Sequence, residues 1–117
     1  LDPRGRQYDL NLMFDELNRQ YFQGGLTKPH LGWSVGKSRR LLGHYDPAHR
    51  AIVINRALDS PKAPAYAVEY VLFHEMLHLK HPVEYRHGRR CVHSPEFKAE
   101  ERRFARYEEA LRFLKSF

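Results

Sequence analysis

Five consecutive residues, His74-Glu75-Met76-Leu77-His78, restrict the fold more than any other feature of this 117-residue chain. Imidazoles four positions apart share a direction when the backbone is helical, because four helical residues turn about 400° and rise about 6 Å. Glu75 then stands about 100° round the helix, beside the two rings. Ala67 and Val71 share the histidine face, and Leu72, Met76 and Leu79 surround the motif, so the helix is expected to run through a core. Imidazoles in apolar surroundings need polar partners, and a bound metal satisfies both. Zinc hydrolases use this spacing to place two nitrogen ligands and a carboxylate beside an open coordination position. With eight histidines in the chain, chance gives on the order of 0.04 such matches. The competing reading is a helix that merely buries two histidines.

The rest of the pattern says what surrounds that helix. Leu10, Met13, Phe14, Leu17 and Tyr21 recur at three- and four-residue steps, predicting a helix over Tyr8–Phe22 that Gly24-Gly25 stops. Alternation follows: Leu31, Trp33 and Val35 share one face of a first strand. Strands are also predicted over Leu41–Tyr45 and Ala51–Asn55, with a turn at Asp46-Pro47-Ala48-His49. Short connections predict antiparallel neighbours. The motif helix is bounded by Pro64 and by Pro82, beyond Lys80. A last helix opens at Ser94-Pro95-Glu96 and is predicted to reach the C-terminus, burying Phe97, Phe104, Tyr107, Leu111 and Leu114. The class is α+β: an N-terminal helix, a three-stranded antiparallel sheet, the motif helix and a C-terminal helix.

Length and composition set the outer limits. The chain suits one domain over 1–117, with no room for two cores. Apolar runs are too short to span a bilayer, Leu1-Asp2-Pro3-Arg4 shows no signal-peptide pattern, and Cys91, the single cysteine, forms no intrachain disulfide. These features point to a reducing compartment, the cytoplasm by default, with nucleoid-associated or nuclear placement compatible.

A catalytic metal site needs a third protein ligand. His81 lies about 10 Å along the helix axis from His74, too far to share one ion. His87 falls in a Gly/Arg-rich loop, and Cys91 fits packing better than ligation. His93, whose backbone Ser94 and Pro95 would fix, is the favoured candidate. Glu96 and Glu100 on the last helix are the alternatives.

His74-Glu75-x-x-His78 followed by His93-Ser94-Pro95-Glu96-Phe97 resembles the SprT-like metalloproteases, which include the eukaryotic Spartan proteases. Supporting matches are Phe14-Asp15-Glu16-Leu17-Asn18 with Tyr21-Phe22, and Gly43-x-Tyr45 before Ile52-x-Ile54-Asn55. The likeness covers about Tyr8 to Phe104. It departs at Ser94, where many members have glycine, and in lacking a following CxxC pair. The resemblance implies a minimal zincin-like metalloprotease fold, His93 as third ligand to one catalytic Zn²⁺, and protein substrates, in several members proteins crosslinked to DNA. Glu75 is then expected to act as general base, taking a proton from water and passing it to the leaving amine. The oxyanion donor stays open among Tyr85, His87, Tyr107 and several arginines.

The charge pattern bears on the substrate. Basic residues exceed acidic ones by six overall. Residues 28–40 hold Lys28, Lys37, Arg39 and Arg40 with no acid, and residues 80–106 hold eight basic residues against four acids. Both stretches are expected to offer non-specific contact to DNA phosphates, against the plainer reading of a solvated, self-paired surface. The main alternative to a protease is a nucleic-acid-associated domain with a structural zinc and no proteolytic activity. A deformylase-type hydrolase shares only the five-residue motif, and its cysteine ligand precedes that motif, unlike Cys91.

Overall fold

The computed structural model describes residues 1–36 and 41–117. Helix α1 (Leu10–Phe22) starts where the Asp9 carboxylate accepts the Asn11 amide at 2.9 Å. It ends in a left-handed turn at Gln23 and Gly24 (φ 51° and 71°). Asn18 then clasps the departing chain: its amide nitrogen donates to the Leu26 carbonyl and its oxygen accepts the Leu26 amide, both at 3.0 Å. Leu10, Phe14, Leu17 and Phe22 are buried, which is the face the periodicity predicted plus Phe22.

Strands β1 (His30–Trp33), β2 (Gly43–Asp46) and β3 (Ala51–Ile54) form a mixed sheet in the order β1-β3-β2. The expectation of an all-antiparallel sheet is corrected. β2 and β3 form the antiparallel hairpin that their short turn dictates, whereas β1 pairs parallel to β3, Leu31 opposite Ile52 and Trp33 opposite Ile54. Nine residues separate Trp33 from Gly43, which frees β1 from a hairpin and lets its apolar face join that of β3. β1 also stops at Trp33, so Val35 is exposed and does not share the face of Leu31 and Trp33.

After a single 3-10 turn (Arg56–Leu58) comes α2 (Ala65–Lys80), begun at Pro64. It is buried almost all round: against α1, against the sheet, and against the C-terminal helices. Residues 84–91 are not a simple loop but a hairpin, β4 (Glu84–Arg86) with β5 (Arg89–Cys91). Its two-residue turn, His87-Gly88, has φ 53° and 74°, the mirror-image conformation that glycine readily supplies.

The expected long final helix is broken into α3 (Pro95–Glu101) and α4 (Tyr107–Ser116). Phe104, between them, is buried in a cluster with Tyr21, Tyr70 and Phe73, at ring distances of 5.5–5.7 Å. Reaching it tightens the backbone into i→i+3 bonds at Arg103, Phe104 and Tyr107. The buried stripe shifts accordingly: Ala110 is enclosed and Leu111 is exposed. Among the described residues, no helix is long and apolar enough to cross a membrane.

Candidate metal centre

The last two turns of α2 and the entry to α3 bring His74, His78 and His93 together. One nitrogen from each lies within 4.8 Å of the others. Their ring centroids form a near-equilateral triangle of 5.2, 5.0 and 5.0 Å. The ring of Phe97, fully buried, lies 5.2, 4.7 and 4.9 Å from the three imidazoles. His93 owes its place to the helix start that follows it. Ser94 Oγ accepts the Phe97 amide at 3.1 Å, and Pro95 occupies the first turn.

Three carboxylates of α3 hold it against its neighbours. Arg86 of β4 reaches Glu96 at 3.1 Å. Lys80 and His81 both reach Glu100, at 2.9 and 2.8 Å. Glu101 bonds Nδ1 of His74, and the nearby Tyr70 hydroxyl favours its charged form. The other ligand candidates are thereby placed elsewhere. Glu96 is engaged by Arg86, Glu100 and His81 engage each other, His87 forms the exposed turn of the hairpin, and Cys91 lies opposite Glu84 in β5. Among the described residues, the rings touching the three histidines are one another's, with Phe97. Tyr107 instead packs on Tyr70, and Tyr85 and His87 stand on the exposed hairpin.

The electrostatics follow from this packing. Burial holds the His78 ring down to about 4, aided by its neighbours His74 and His93. Burial and His74 also lower His93. Burial works to lower His74 too, but the Glu101 bond and the charges of Glu75 and Glu101 outweigh it and raise that ring. Glu75 is buried beneath β2, where a methyl group at Gly43 would come 3.4 Å from its Cγ. Burial pushes its carboxyl up to about 7, although His74 pulls the other way. Glu101 sits below the ordinary carboxylate range: burial raises it, but the His74 bond and charge prevail.

Three convergent nitrogens, two of them kept neutral, match the donor set of a tetrahedral site with one position left over. Sequence reasoning missed Glu101 and Tyr70. The available signal was spacing: Glu101 lies four residues after Phe97, hence on the same face of α3.

Comparison with known proteins adds two findings. The SprT-like family model matches residues 10–112. Among solved structures, the chain is similar to jannalysin, a metallopeptidase zymogen of Methanocaldococcus jannaschii. The TM-score is 0.60 and the identity 11%, over 92% of this chain and 91% of that one, a likeness of fold. No curated protein matches the chain.

Proposed function

Since the chain belongs to the SprT-like family, we propose that it forms a zinc endopeptidase domain acting on protein substrates. The observation that carries this reading is the convergence of His74, His78 and His93 with Glu75 buried on the adjoining helix face. The three histidines would hold one zinc ion, which supplies a Lewis acid able to bring water's pKa near neutrality and to draw charge from a peptide carbonyl. Glu75 takes the proton of the attacking water on its carboxylate and passes it to the departing amine nitrogen. In the sheet β3 is central, whereas β2 is an edge packed on α2 beside Glu75. An extended substrate therefore pairs along β2.

DNA-bound or DNA-crosslinked proteins are the substrate class we favour. Arg89, Arg90, Lys98, Arg102 and Arg103 make no ion pair among the described residues, and the hairpin carrying the first two leads directly to His93. In the other basic stretch Lys28 is paired with Asp15 at 2.8 Å, and Lys37, Arg39 and Arg40 lie outside the described residues. The decisive assay measures cleavage of a DNA-binding protein, with and without DNA, by wild type and Glu75→Gln. The reading expects about one zinc in both proteins, cleavage by wild type only, and stimulation by DNA. Equal cleavage by both removes Glu75 from its role. DNA binding with no proteolysis by either would establish the structural-zinc alternative.

A further inference from the structure

We propose that Glu101 is a positioning residue that fixes His74 as a metal ligand through Nε2. This rests on the zinc reading above. An imidazole can offer either nitrogen to a metal, and the partner of the other nitrogen decides which. Glu101 bonds Nδ1 of His74, so that nitrogen carries the hydrogen and Nε2 keeps its lone pair. The Glu101 side chain is only 15% exposed. The carboxylate therefore sits enclosed behind His74, on the side of the ring opposite the nitrogen offered to a metal. Among the described residues, His78 and His93 have no side-chain hydrogen bond, and ring packing on Phe97 and on the other histidines orients them.

The neighbouring residue makes the proposal testable. Glu100 ties the same helix to α2 in the same manner, through His81 at 2.8 Å and Lys80 at 2.9 Å, but His81 is not in the triad. If these carboxylates served only to hold α3 against α2, Glu100→Gln and Glu101→Gln would behave alike.

The experiment measures zinc dissociation constants of folded protein by competition with a chromogenic chelator, alongside visible spectra of the cobalt-substituted forms. Glu101→Gln is expected to weaken zinc binding by about 10- to 100-fold and to alter the cobalt spectrum. Glu101→Asp, which keeps the charge but retracts it by one methylene, should fall between it and wild type. Glu100→Gln should match wild type in both readouts. Tight wild-type binding with equal constants for the Glu100 and Glu101 variants overturns the positioning role alone. Wild-type protein that binds no zinc, or binds it unaffected by His93→Ala, overturns the ligand assignment and the proposal with it. Should Glu101→Gln not fold, Glu101→Asp carries the test: a several-fold weaker zinc constant supports the proposal and an unchanged one overturns it.

Discussion

From Ala65 to Phe73, α2 meets its neighbours through hydrocarbon. Val68, Val71, Leu72 and Phe73 are buried against α1, the sheet and the C-terminal aromatic cluster. From His74 to His81 the same helix meets α3 through directed polar pairs, His74 with Glu101, and Lys80 and His81 with Glu100. The first half is held by area and fit, which tolerate exchange among side chains of similar volume. The second is held by contacts that survive only if donor, acceptor and geometry all persist. One unbroken helix thus joins a forgiving anchor to an exacting site, and the anchor's rigidity makes the site's spacing dependable.

Four measurements can break that division or sharpen it. The largest effect belongs to the polar half: Glu75→Gln should lower peptide hydrolysis by about 10²- to 10⁴-fold while zinc content is retained. Next, Phe73→Ala in the apolar half should cost about 3–5 kcal/mol in urea unfolding, with little change in the zinc affinity of the folded protein. A matching loss of zinc affinity would show that the halves are not separable. Third comes a pH effect in metal-free protein. The Glu75 carboxyl is raised from 4.5 to about 7, so the folded state holds its proton more tightly than the unfolded chain does. Its contribution is present below about pH 4.5 and is lost as pH rises through 7. Metal-free Glu75→Gln should therefore be more stable than wild type at pH 8, by up to about 3 kcal/mol, with the difference vanishing toward pH 4. A constant difference across that range would mean Glu75 is not desolvated. The smallest effect is expected at the border between β2 and α2. A Cβ at Gly43 would lie 3.0 Å from Val71 and 3.1 Å from Ile54, so Gly43→Ala should cost about 1 kcal/mol of overpacking, read as a lower thermal midpoint.

Much of this was legible from residues with one structural meaning. Prolines 64 and 82 bracket α2, and Ser94-Pro95 marks the helix start that brings His93 beside the motif histidines. What stayed hidden depends on partners distant in sequence. Alternation in β1 says which face is apolar, but not that the strand would bypass β2 and lie parallel to β3. Nothing between Arg102 and Arg106 resembles a helix breaker. The break arises because Phe104 is drawn into the aromatic cluster and Tyr21 Oη accepts the Ala105 amide at 3.0 Å. The β4–β5 hairpin lacks apolar alternation, and only His87-Gly88 hinted at its turn. Glu101 is not legible from ligand spacing, because it bonds a ligand candidate, His74, rather than joining the triad.

The free edge of β2 has a cost for the protein's own solubility. Among the described residues no strand pairs with the outer side of β2, and the row we propose for a substrate strand would accept a second copy of itself equally well, the usual first step in edge-to-edge aggregation. β2 is only four residues long, with His44 exposed and Asp46 half-buried. Brevity and charge leave a self-paired ribbon few bonds with which to outlast thermal motion. Replacing His44 and Asp46 with β-branched residues would remove that protection and favour self-assembly in concentrated solution.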